Sequence, residues 1–302
     1  MKLRQKLIGC VLVLAAALQV AKADTALAYP PLLQPTVQEA KAARLAAELL
    51  SRYHYKAVPL DDALSGKVFN QYLKSLDSEK LYFLQSDIDR LAVDRNRLDD
   101  AILTEDLRAP FAIFNLYERR AVERMAFARS LLAKGFDFER DETLMIDRKD
   151  QPWPATEAES LDLWRKRVKN DWLRLKLAGH DDAAIRKVLD KRYDSTAKRI
   201  GKISSADAFQ AFMNAYTMAI EPHTNYLGPR AAENFNIAMR LSLVGIGAVL
   251  TEIDGYVTIR ELVAGGPAIA SGQLKVGDRI VGVGQGTVGP VDDVVGWRLD
   301  DV

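Results

Sequence analysis

The residues best suited to chemistry are the small ones at Gly245-Ile246-Gly247-Ala248. Glycine at 245 and 247 permits positive φ and lets another chain approach the backbone closely. Successive main-chain N–H groups in such a turn form a nest that can donate to a carboxylate without any lysine. The strand-like run that follows, Ala248-Val249-Leu250, can take an extended peptide as an added strand. The plainer alternative is a turn at a strand edge, and the neighbouring elements must choose between the two.

Other candidates are weaker. Ser195-Thr196-Ala197-Lys198 matches S-x-x-K, but that chemistry also requires S-D-N and K-T-G, and neither occurs. It lies in the charged run 191–202 and reads as a solvated helix turn. His223 is the one histidine inside a motif, yet no G-x-S-x-G elbow exists to pair with it. Its expected role is to fix a turn by hydrogen bonding. Gly282-Val283-Gly284-Gln285-Gly286 departs from G-x-G-x-x-G at Thr287 and opens no helix, so it is no nucleotide loop. Cys10 is the sole cysteine, and His54, His180 and His223 are far apart. Zinc fingers, iron–sulfur clusters and disulfide scaffolds are excluded, and no metal or organic cofactor is implied. Lys+Arg 42 against Asp+Glu 41 gives a net charge of +1, which does not point to nucleic acid.

These residues sit in a chain of 302 residues, 48% hydrophobic, long enough for about two folding units. Lys2, Arg4 and Lys6 precede an uncharged run from Leu7 to Val20, and Ala21-Lys22-Ala23 follows. That order predicts a signal peptide over 1–23, cleaved before Asp24. The run is shorter than the roughly 20 residues a bilayer requires. Leu7-Ile8-Gly9-Cys10 resembles a lipobox, but most of the apolar run lies after the cysteine. No later segment is long and apolar enough to span. Residues 1–23 hold four Lys/Arg and no acid, so the mature chain would carry 38 basic against 41 acidic residues and no cysteine. The expected location is the periplasm.

Residues 24–228 read as a helical domain. Thr36-Val37-Gln38-Glu39 is a capping box, and Leu45, Leu49 and Tyr53 follow as one expected inward face. Leu64, Val68, Tyr72 and Leu76 repeat every four residues. Ser86-Asp87-Ile88-Asp89 starts a helix bearing Leu91, Leu98 and Ile102, and 105–134 carries Leu107, Phe111, Phe114, Tyr117 and Met125 before Gly135. The prolines of 150–154 force a loop. Helices are predicted over Glu157–Ala178, Asp181–Ile200 and Ser205–Ile220, the first two stopped by Gly179 and Gly201. The basic run Arg165-Lys166-Arg167, with Lys169, reads as a solvated face.

The texture changes at Glu221, and thirteen of the eighteen glycines fall between Gly228 and Gly296. Leu241-Ser242-Leu243 and Ile246–Ile253 read as strands, Asp254-Gly255 as a hairpin turn, and Tyr256–Ile259 as the returning strand. Ala264-Gly265-Gly266-Pro267-Ala268 opens a short helix that closes near Gly272. Val276–Val283 reads as a turn and strand. Asp292 or Asp293 is expected to cap a final helix from Val294 onward, lining a groove with Val295 and Leu299. This order resembles a PDZ domain, with Gly245–Ala248 where that family has its carboxylate-binding loop. The expected fold class is α+β: a large all-α domain followed by an incomplete PDZ module over 229–302.

As a whole the chain resembles the N-terminal part of the carboxy-terminal processing proteases, in their tail-specific branch. The marks are E-P-H-T-N-Y-L-G-P at 221–229, S-L-V-G-I-G-A-V-L at 242–250, V-A-G-G-P-A at 263–268, V-G-D-R-I-V-G-V-G at 276–284 and G-W-R-L-D-D-V at 296–302. Glu221 stands where the family has Asp. The resemblance implies an exported serine peptidase of the S41 class that recognises apolar C-terminal tails and cuts with a Ser–Lys dyad. It implies carboxylate binding by Gly245, Ile246, Gly247 and Ala248, and a groove formed by Val249, Leu250, Val295 and Leu299. The expected partners are tails of unfolded or partly folded periplasmic proteins, and possible adaptor proteins. The 62 residues from Leu241 to Val302 are fewer than a PDZ module needs, and nothing in the chain matches the dyad. A fragment without its protease core, inactive alone, is therefore expected. A stand-alone exported peptide-binding adaptor is the rival reading. An HtrA-like protease is disfavoured, because no chymotrypsin-like β segment precedes the module.

Overall fold

The computed structural model describes residues 27, 29–240, 245–253, 255–284, 286 and 289–302. The expected signal peptide, the expected strand at 241–243 and Asp254 of the hairpin turn lie outside them.

Helix α1 (Val37–Tyr53) opens on the expected capping box. The Glu39 amide donates to Thr36 Oγ1 at 3.2 Å, and the Thr36 amide to Glu39 Oε2 at 2.7 Å. Its packing face is not the expected one. Leu45, Leu49 and Tyr53 are exposed, while Ala40, Ala43 and Ala47 are buried. The alanine side lets α1 lie close against the core, which turns the larger residues outward.

Helix α2 (Asp62–Leu76) buries Leu64, Val68 and Tyr72. The next predicted helix is broken into α3 (Gln85–Leu91), a 3-10 turn (Ala92–Asp94) and α4 (Leu98–Leu103). Leu91, Leu98 and Ile102 are buried nonetheless. Between α2 and α3 the buried Asp77 carboxylate accepts the amides of Leu81, Tyr82 and Phe83 and the indole N–H of Trp153. That one acid ties the proline loop to the middle of the domain.

The 24-residue α5 (Arg108–Leu131) joins two cores. Phe111, Ile113 and Phe114 pack with α1, α2, α4 and α8 (Ser205–Ile220). Ala121, Val122, Met125 and Ala128 pack with Trp164, Val168 and Trp172 of α6 (Glu157–Leu177) and with Ile185, Leu189 and Tyr193 of α7 (Asp182–Ile200). Gly135 (φ 69°) and Gly179 (φ 89°) end helices in the left-handed conformation. Gly201 ends α7 without it, at φ −65°. The basic face is only partly solvated: Arg165 and Lys169 are half-buried and both hold Glu142 of the preceding segment.

Helix α9 (Pro229–Arg240) was not legible in the sequence. Strands β1 (Ala248–Ile253) and β2 (Tyr256–Leu262) then form an antiparallel hairpin. Gly255, just before β2, has φ 82°. Helix α10 (Pro267–Ser271) ends at left-handed Gly272. Strand β3 (Arg279–Ile280) pairs with β2, so among the described residues β1 is left as an edge. Strands β4 (Gly282–Gly284) and β5 (Val291–Asp293) form a separate pair. Among the described residues, Val257, Ile259, Ala268 and Val294 are the buried apolar ones of this module. The expected final helix is absent from 294–302. Gly296 turns left-handed at φ 82°, and an i→i+4 bond appears only at the end, from the Val302 amide to the Arg298 carbonyl at 3.2 Å.

Candidate peptide-binding site

The loop 245–247 leads into β1 and packs on the start of α10. The Ile246 carbonyl accepts the Ala268 amide and the Gly247 carbonyl accepts the Val263 amide, both at 2.8 Å. These bonds turn the carbonyls toward the module. Among the described residues, no side chain or non-ladder backbone acceptor takes the Gly245, Ile246 or Gly247 amides. Gly247 is the residue that truly requires glycine. It has φ 74°, and a Cβ there would lie 2.9 Å from Gly266 Cα. Gly245 does not use positive φ, contrary to expectation.

Beyond the loop, β1 offers its free edge. The register shifts between Val249 and Leu250 because β2 carries an extra residue there, Arg260, and this bulge increases the local twist of the pair. Val249 is exposed and Leu250 half-buried. Val295 and Leu299, expected on a helix, lie instead on turns, both partly open to solvent. The Gly296 amide donates to the Gly255 carbonyl at 2.9 Å, which sets this segment against the hairpin end of β1–β2. The structure thus brings Gly245–Leu250 together on one edge, and places Val295 and Leu299 on a separate segment at its far end.

Ser195–Lys198 and His223 behave as read. Ser195 and Lys198 are exposed on α7, and Lys198 pairs with Asp194 at 2.8 Å. His223 fixes a turn: its amide and Nδ1 meet the Glu221 carboxylate at 2.8 and 2.6 Å. These bonds hold Glu221 below the usual carboxylate range. Thr224 continues the chain of contacts to His54 Nε2 at 2.9 Å. No group of three or more metal-ligating side chains occurs among the described residues.

The family model described as the tail-specific protease N-terminal domain matches residues 46–230. The chain belongs to the tail-specific protease family. In agreement with the edge-strand geometry, the PDZ domain model matches residues 235–302. A relative named Tail-specific protease, from Haemophilus influenzae, is 42% identical over 262 residues, covering 86% of this chain and 38% of the relative. The chain thus spans about two fifths of that relative's length. A tail-specific protease N-terminal domain and a PDZ module together give the α+β architecture described above.

Proposed function

We propose that this chain is the tail-recognition part of an exported serine protease of the S41 class. An apolar C-terminal tail docks along β1, with its carboxylate on the amides of Gly245, Ile246, Gly247 and Ala248. Val249 and Leu250 present the edge, and Val295 and Leu299 close the far end of the groove. Peptide-bond cleavage belongs to the part of the family's length that this chain does not match. Export to the periplasm follows from the charge and apolar order of residues 1–23, and unfolded proteins there supply the tails.

The observation carrying this reading is the division of labour in one loop. The Ile246 and Gly247 carbonyls are engaged inward, while the amides stand at the head of a strand edge that no other described strand pairs with. A carboxylate needs donors only, which is what such a loop offers. Calorimetry with an apolar-ending peptide tests it. The free-carboxylate form is expected to bind at least tenfold more tightly than its amide, and equal affinities would remove the amide nest from the site.

A further inference from the structure

One turn of the helical domain touches both segments assigned above to tail binding, β1 and the stretch bearing Val295 and Leu299. Between α7 and α8, Lys202 Nζ pairs with Glu252 on β1 at 3.0 Å. The Lys202 carbonyl accepts from Arg298 Nη1 at 3.3 Å. Arg298 also donates both terminal nitrogens to Asp207, Nη2 to Oδ1 at 3.4 Å and Nη1 to Oδ2. Glu252 lies two residues beyond Leu250, and Arg298 immediately precedes Leu299.

The turn is itself well anchored. Asp207 is the acid of the α8 capping box, where its Oδ2 accepts from the Ser204 amide at 2.8 Å and Ser204 Oγ at 2.7 Å. Burial acts to raise the Asp207 carboxyl, but the Arg298 and Ser204 bonds outweigh it and hold it below the usual range. The Arg298 fork also grips Asp300 in its own turn, and Arg230 of α9 pairs with Asp300 and Asp301. No helix is present in 294–302 to stiffen the Val295–Leu299 segment; these charged contacts hold it together with the Gly296–Gly255 backbone bond.

We propose that Lys202 and Asp207 are positioning residues for the tail groove: they fix the spacing between β1 and the segment bearing Val295 and Leu299. The proposal rests on the tail-binding reading above. A groove whose walls are already held loses less conformational freedom when a tail enters, and so binds more tightly. The helical domain is then a working part of recognition.

The test is tail-peptide affinity measured on the whole protein. Lys202→Glu is expected to weaken binding about three- to tenfold, from a lost pair and a new like-charge contact. Glu252→Lys alone should weaken it similarly. The double variant Lys202→Glu/Glu252→Lys should return affinity to within about twofold of wild type, with melting temperatures unchanged throughout. Unaltered affinity in Lys202→Glu, or no recovery in the double variant, overturns the proposal. If wild type does not distinguish free from amidated tails, the tail-binding reading itself fails. If it does, but the variants match wild type, only the positioning role fails.

Discussion

Glu118 on α5 is 3% exposed, and its Oε1 meets no hydrogen-bond donor among the described residues. It lines a groove of about 450 Å³ beneath the strap Pro30–Gln34. Asn115 pins that strap, taking the Leu33 amide at 2.9 Å and donating to the Leu33 carbonyl at 3.0 Å. Burial pushes the Glu118 carboxyl up to about 7. In the unfolded chain it would titrate near the ordinary value of about 4.3. The folded state therefore holds the proton more tightly. The stability this confers is complete below about pH 4.3 and is lost as pH rises through 7. A rise from 4.5 to about 7 corresponds to about 3 kcal/mol at 1.36 kcal/mol per unit, and water reaching the groove trims this to about 1–3 kcal/mol. Glu118→Gln keeps the shape and removes the charge. It is expected to be more stable than wild type by about 1–3 kcal/mol at pH 8, a gain of several degrees in Tm, and equal to it near pH 4. Urea and thermal melts from pH 4 to 8 read this difference. Parallel pH profiles for the two proteins would refute a buried, unpaired carboxyl at 118.

Gly247→Ala places a Cβ 2.9 Å from Gly266 Cα at a positive φ; it should cost about 1–3 kcal/mol and lower tail affinity by calorimetry. Asp77→Ala strands three amides and the Trp153 indole, and chemical denaturation should report a loss of about 3–5 kcal/mol. Leu45→Ser with Leu49→Ser, both on the outward face of α1, should change unfolding free energy by under about 1 kcal/mol. Ala43→Leu, against the core, should cost about 1–3 kcal/mol in the same melts.

The helix ends were readable because caps and stops are local chemistry. Thr36 with Glu39, Asp181 before α7 and Gly179 after α6 each satisfy or release backbone groups within a few residues. The inward face of α1 was misread because an alanine stripe and a leucine stripe share one helix, and hydrophobicity alone favours the leucines. Helix α9 was hidden by the turn-rich stretch before it, although Pro229 at its first position is a standard opening. Gly296 undid the expected final helix by turning left-handed. At the site, the glycine loop and edge strand were legible as a motif. The pairs Lys202–Glu252 and Arg298–Asp207 were not, because they join residues 50 and 91 apart and periodicity does not report such meetings. Glu118 likewise looked like any other charge on a helix until its surroundings were known.

The shape of β1 also bears on what the protein must avoid. An unpaired strand edge invites any extended backbone, including the same edge of a second molecule. Here the bulge at Arg260 of β2, facing Val249 and Leu250, twists the rail, and Lys202 occupies the side chain of Glu252 near its far end. Only a few residues of straight edge remain. A pliant chain can follow that short twisted track, whereas a sibling's equally twisted strand has too little straight edge to match it.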